Sequence, residues 1–228
     1  VTLMAAHHIA IDAWSATLLR REIEAEAAVF EAESGDLLQY ADYAAWQRRM
    51  HETTDLTASL DWWAEHLARI PQLSAVPADR APAAQGIGAV LNFSWDRQLA
   101  DGIRALAQAN GATLYMALVA ACAAVLGRHV HQDDIVLGSP TGVRELRALE
   151  TMVGPFVNLL VLRLDISDDP TFIELLLRAR AAVLDAHEHR HTSFEKLVER
   201  LQPARSLNRS PIFQTAVVLH NAAQDEDL

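Results

Sequence analysis

The sequence predicts a mixed α and β fold, and three observations carry that expectation. Apolar residues recur at helical spacing over several long stretches. Short runs rich in Val, Ile and Leu stand between them, and the two kinds of segment interleave along the chain. Val1 to Ala6 reads as a short buried strand ending at His7-His8. Trp14 to Glu33 reads as a helix, with Leu18, Leu19, Ile23, Ala27 and Phe30 near helical spacing and Ser34-Gly35 to stop it. Tyr40 to His51 is a second helix with Tyr43, Trp46 and Met50 on one face. Asp55 to Ile70 is a third, striped by Leu56, Leu60, Trp63 and Leu67.

Pro71, Pro77 and Pro82, among Ala, Ser and Gly, then break regular structure until about Gly88. This stretch is the natural lobe boundary and divides the chain into 1-82 and 83-228. Beyond it, Ala89 to Trp95 alternates like a strand, and Arg97 to Ala109 is helical with Asn110-Gly111 as its cap. Thr113 to Gly127 is a strongly apolar helix, and Asp134 to Gly138 a short buried strand entering a Ser139-Pro140 turn. Phe156 to Leu164 is a strand, Thr171 to Ala186 and Ser193 to Leu201 are helices, and Ile212 to Leu219 is a strand. No internal repeat is present.

Composition narrows the partners. The 228 residues carry a net charge of −11, and Lys and Arg form no basic run, so a phosphate backbone would be repelled and no nucleic acid is expected. The one cysteine, Cys122, lies in an apolar run and reads as a small core residue, with no disulfide framework around it. The longest apolar stretch, Ala117 to Gly127, is too short to span a bilayer, so no membrane partner is expected either. A cytoplasmic location is the default. The chain opens on a strand-like run without an initiator Met, which suggests a piece of something longer.

The first candidate for chemistry is His7-His8-Ile9-Ala10-Ile11-Asp12. On a strand, adjacent side chains face opposite ways, so one imidazole can meet a channel and the other the interior. Histidine suits proton transfer near neutral pH, and Asp12 can cap the following helix. A pair of satisfied structural histidines is the plainer alternative. A His-x3-Asp metal site needs a helix to share a face, so no metal is expected there. His187, His189 and His191 would align on a strand, but their context is a helix end and loop, and a solvated tract is the simpler reading. Arg144 follows a Gly-Ser-Pro-Thr-Gly turn and can reach a carboxylate elsewhere. Ser139 lacks a nucleophile-elbow context, no phosphate-cradling loop is present, and Trp46, Trp62 and Trp63 read as core.

Taken together, five segments resemble, in order, the signature blocks of non-ribosomal peptide synthetase condensation domains. His7-His8-Ile-Ala-Ile-Asp12-Ala13-Trp14-Ser15 is similar to HHxxxDG followed by Trp-Ser, and Tyr40 to Gln47 to YxDYAxWQ. Val153 to Asn158 is similar to GFFVNT, His189 to Glu195 to HQDxPFE, and Arg205 to Gln214 to RSLSRSPLFQ. The resemblance implies a two-lobed fold like chloramphenicol acetyltransferase, incomplete here because the opening blocks and the last stretch of the second lobe are absent. It implies amide formation between carrier-bound donor and acceptor thioesters in a tunnel, with His8 catalytic and His7 structural. Asp12 would shape the site through a salt bridge, with Arg144 in the region that supplies its partner. Ala13, Trp14, Ser15 and Asn158 match motif or tunnel positions.

The domain itself would bind no cofactor; its substrates would ride on the phosphopantetheine of upstream and downstream peptidyl carrier proteins, next to an adenylation domain of the same polypeptide. Three departures from the blocks stand out: Ala13 for Gly, Pro155 and Leu159 for Phe and Thr, and His191 and Ser193 for Asp and Pro. The alternatives are a degenerate domain that only docks carriers or tailoring proteins, and a related thioester-dependent acyltransferase. An isolated piece of such an open sheet should expose apolar edges and lack independent stability.

Overall fold

A computed structural model of the chain describes residues 3–26, 38–54, 56–71, 88–203 and 210–220. They form two compact units, Val1–Asp61 with Thr141–Asn158, and Trp62–Pro140 with Leu159–Leu228. The expected boundary at 82 and 83 lies outside the described residues, as does the stretch from 27 to 33 that was expected to continue the first helix.

The first unit begins without the expected strand. Residues 3–6 are exposed and form no ladder. The Val-Thr-Leu-Met pattern supplies strand propensity, but a strand exists only where a neighbour accepts its backbone groups. A turn follows, and helix α1 (Ala13–Glu26) starts directly after Asp12, whose Oδ1 accepts the Ser15 N–H at 2.7 Å. Helix α2 (Tyr40–Thr53) opens with a capping box in which Asp42 Oδ2 accepts the Gln39 N–H at 2.8 Å. Of its expected apolar face only Tyr43 is buried; Trp46 is 44% exposed, so it is not core. Buried Tyr43, Leu149, Met152 and Phe156 form this unit's apolar cluster, with Tyr40 and Val143 against it.

Helix α3 (Thr57–His66) ends in the second unit, where Trp63 and Leu67 are buried in the main core. Residues 89–95 were expected to form a strand. They carry none, and Val90, Leu91 and Phe93 stand exposed. Helix α4 (Arg97–Ala109) is capped by Asp96, which accepts the Leu99 N–H at 2.7 Å, and closes at Asn110 with Gly111 at φ +64°. Helix α5 (Leu114–Val130) is capped by Thr113 and buries Met116, Ala117, Val119, Ala120, Ala123, Leu126 and Gly127, the pattern of a helix covered on most sides. Cys122 is half-buried beside that core. Among the described residues no single helix is long and apolar enough to cross a membrane.

Strands β1 (Asp134–Gly142) and β2 (Val157–Asp165) pair with each other. Ile166 N–H donates to Asp133 O at 2.7 Å, and Val143 N–H to Phe156 O at 3.0 Å, so the strands run antiparallel. β1 continues through Ser139-Pro140, where a turn was expected. Residues 135–139 are buried in succession, which marks a strand covered on both faces. The strand expected over Ile212 to Leu219 is reduced to one parallel bridge, Gly138 with Ala216, in which Gly138 N–H donates to Thr215 O at 2.8 Å. Helices α6 (Phe172–Glu188) and α7 (Phe194–Leu201) begin one residue after Thr171 and Ser193, the expected helix starts, which serve as their caps.

Candidate active site

The candidate residues near Asp12 all belong to the first unit. His7 and His8 are exposed, at the head of a turn held by two hydrogen bonds. Ala10 N–H donates to His7 O at 2.9 Å, and Ile9 N–H donates to His7 Nδ1 at 3.0 Å. The second bond makes Nδ1 the acceptor, so the neutral His7 ring carries its proton on Nε2. His7 thus has a local structural duty. The His8 imidazole, among the described residues, makes no hydrogen bond or ion pair and is open to solvent.

Four residues on, the environment inverts. Asp12 is 5% exposed, and its carboxylate accepts from Ser15 N–H, from Phe156 N–H at 3.1 Å, and from Arg144 Nη2 at 3.1 and 3.2 Å. Burial alone would push this carboxyl up. The hydrogen bonds from Ser15 and the Arg144 guanidinium outweigh it and hold Asp12 below the usual carboxylate range.

Arg144 is nearly as buried and spends its other donors on backbone. Its Nη1 donates to Leu149 O and to Met152 O, the latter at 2.7 Å, and its Nη2 also donates to Ser15 Oγ at 2.8 Å. Its guanidinium carbon stands 4.0 Å from the centre of the fully buried Phe156 ring, a cation–π contact. Tyr40 meets the same ring edge-on at 5.2 Å, and Tyr43 packs on it at a tilt at 4.8 Å. Burial first, and then the Asp12 charge, raise the Tyr40 phenol above its usual range, so it stays neutral. Gly154 is required where it stands, because a Cβ there would strike the Tyr40 ring.

Asp12, Ser15 and Arg144 therefore come together, while His8 stands in solvent beyond them. Ser15 was expected at a tunnel position; it is fully buried, with its hydroxyl wholly engaged by protein. Trp14 is half-exposed, and its Nε1–H donates to Glu150 O at 2.7 Å. Ala13 is the exposed first residue of α1, and Asn158 lies half-buried near the start of β2. Sequence reasoning did not single out Gly154, Phe156 or Tyr40 as parts of this framework. Their signal was present, since all three fall inside the blocks that carry the resemblance.

The other histidine tract does not converge. His187 lies in the last turn of α6 and His189 is its C-cap residue. His189 instead stacks on Trp62 at 4.0 Å, and His66 stacks on the same indole at 4.6 Å. Among the described residues no group of three or more His, Cys, Asp or Glu side chains is arranged to hold a metal ion.

The sequence model of the family described as "Condensation domain" matches residues 1–228. The chain belongs to that family. The condensation domain is 41% identical over 231 residues to a linear gramicidin synthase from Brevibacillus parabrevis, covering 97% of this chain and 3% of that protein. It is 37% identical over 235 residues to malpinin synthetase of Mortierella alpina, covering 100% and 3%. Among solved structures, the X-domain from teicoplanin biosynthesis matches with a TM-score of 0.78 at 33% identity, covering 92% of this chain and 50% of that one. A four-domain non-ribosomal peptide synthetase bound to AMP and glycine shares the fold, with a TM-score of 0.83 at 23% identity, covering 95% and 17%. The chain thus spans a few per cent of the length of these curated relatives. The expected fold, the chloramphenicol acetyltransferase-like one of condensation domains, is the fold observed.

Proposed function

We propose that this condensation domain catalyses amide formation between a carrier-bound donor acyl or peptidyl thioester and a carrier-bound acceptor aminoacyl thioester. The partners on this reading are upstream and downstream peptidyl carrier proteins, whose phosphopantetheine arms bring both substrates, and an adjacent adenylation domain, all in the cytoplasm. The observation that carries it is the juxtaposition at the first block: an imidazole open to approach, four residues before a buried, ion-paired carboxylate.

The step follows from the groups present. The acceptor amine nitrogen attacks the donor thioester carbonyl carbon, a C–N bond forms, and the C–S bond breaks with its electron pair leaving on the pantetheine sulfur. The amine loses one proton and the thiolate gains one. A free α-amine has a pKa of about 7.7 to 8.0, so roughly a tenth of it is neutral at pH 7 and no strong base is needed before attack. His8 serves by accepting the ammonium proton as the tetrahedral species forms. Asp12 and Arg144 are too buried and too fully bonded to reach a substrate; they hold the backbone on which His8 stands.

A docking-only role is the second reading, supported by Ala13 and Pro155 in place of the block residues and by the solved complex of the X-domain with OxyB, which matches at 33% identity. The two readings separate in one assay. The protein's own carriers are loaded, the wild-type protein is allowed one turnover, and the acceptor carrier is weighed intact by mass spectrometry. Acceptor carrier heavier by the donor acyl group supports catalysis. Carriers that bind without mass transfer support docking and overturn the proposal.

A further inference from the structure

The Trp-Ser dipeptide that follows the histidine block is not explained by proton transfer, yet both side chains reach the same stretch of chain. Ser15 Oγ donates to Gly154 O at 2.8 Å, accepts from Gly154 N–H at 2.9 Å, and accepts from Arg144 Nη2 at 2.8 Å. A hydroxyl has one proton and two lone pairs, so its capacity is full. Nothing is left for a substrate. The Ser15 backbone N–H meanwhile donates to Asp12 Oδ1, and Trp14 Nε1–H donates to Glu150 O. A single residue thus touches both halves of the Asp12–Arg144 ion pair and both backbone groups of Gly154.

We propose that Ser15, assisted by Trp14, is a positioning residue: a clasp that fixes residues 150–156 and the Asp12–Arg144 pair against the first turn of α1, and so sets where the His7-His8 turn stands. The inference rests on the catalytic reading of His8. Removing this buried hydroxyl takes one acceptor from Arg144 Nη2, one donor from Gly154 O, which keeps the Phe156 N–H at 3.2 Å, and the Ser15 acceptor from the Gly154 N–H, so the N–H above all must relax toward a new partner. That relaxation moves Asp12, and the turn begins only four residues away.

The test uses single-turnover transfer between the protein's own carriers, loaded enzymatically from a mixture of the proteinogenic amino acids and read by intact-carrier mass. Rates are normalised to folded protein from a melting curve. Ser15→Ala should lose rate at saturating acceptor carrier on the order of 10²-fold, the scale of a displacement of about 1 Å, with half-saturation unchanged. Ser15→Thr, which keeps the hydroxyl, should recover most of the rate. Ser15→Ala combined with Arg144→Lys should be little slower than Arg144→Lys alone, because residues acting as a unit lose their effect together. A folded Ser15→Ala with wild-type rate, or with only its half-saturation changed, overturns the inference. If Ser15→Ala does not fold, Trp14→Phe decides: a lower rate at saturation supports the clasp and an unchanged rate overturns it. His8→Ala, run alongside, reports on the underlying reading. A silent His8→Ala beside an unaffected Ser15→Ala sinks only the clasp, whereas an active His8→Ala sinks the catalytic reading and the clasp with it.

Discussion

Residues 7–10 and the node around Asp12 are neighbours in sequence and opposites in physics. The histidine turn is exposed and held by two local hydrogen bonds. The node buries an ion pair, a hydroxyl and an aromatic ring, and shares out nearly every donor; Arg144 Nε is the one buried side-chain polar atom among the described residues left without a partner. The contrast teaches a division of labour. A group that must exchange protons with a substrate has to stay accessible and adaptable. A group that must hold it in place works best where water cannot compete. Charge in the node serves geometry, and on the proposed reading the chemistry falls to the exposed His8 imidazole.

The comparison can be broken from its buried side first. Arg144→Ala leaves Asp12 charged, dry and unpaired, and should lower stability by about 3–5 kcal/mol in urea unfolding; a loss below about 1 kcal/mol, the scale of an exposed pair, would show that the node is not a dry ion pair. Gly154→Ala comes next. Its methyl meets the Tyr40 ring, and overpacking of this kind typically costs about 1–3 kcal/mol. Wild-type stability in that variant would mean that Tyr40 moves aside freely and that the aromatic wall is soft.

A subtler effect separates the two units by pH. Asp12 has a folded pKa below its unfolded value, so its contribution is complete above about pH 4 and is lost as pH falls through the folded pKa. The pKa of His66, in the second unit, is lowered as well, which for an imidazole favours the neutral form. Burial, and then the Arg163 charge, lower its pKa against opposing pulls from Asp185 and Asp134. The unfolded chain therefore binds a proton that the folded unit resists, and stability should begin to fall below about pH 6.5. Because His66 stacks on Trp62, indole fluorescence should report that change while hydrogen exchange at the Phe156 amide remains slow. Loss of Phe156 protection at pH 6 would contradict the assignment of the two titrations.

Much of the fold was legible because local chemistry declares it. Thr113, Thr171 and Ser193 each mark a helix start, since a side-chain oxygen can take an N–H that the helix leaves unpaired. What misled was anything needing a distant partner. Residues 3–6 and 89–95 alternate as strands do, but alternation reports sidedness and not a neighbour to pair with. Ser139-Pro140 carries a turn signal that a strand buried on both sides overrides. Trp46 falls at helical spacing, yet nothing covers it enough to make it core. In the site, Asp12 and Arg144 could be singled out, one as a cap and the other as a guanidinium in search of a carboxylate. Ser15 could not be read correctly, because its role is defined by Gly154, 139 residues away.

The most direct test of this division of labour is the single-turnover rate of His8→Ala, normalised to folded protein. The account predicts a loss of about 10²- to 10⁴-fold, the value of one positioned proton transfer, with an unfolding midpoint equal to that of the wild type. An undiminished rate, or a midpoint lowered as far as that of Arg144→Ala, would contradict it.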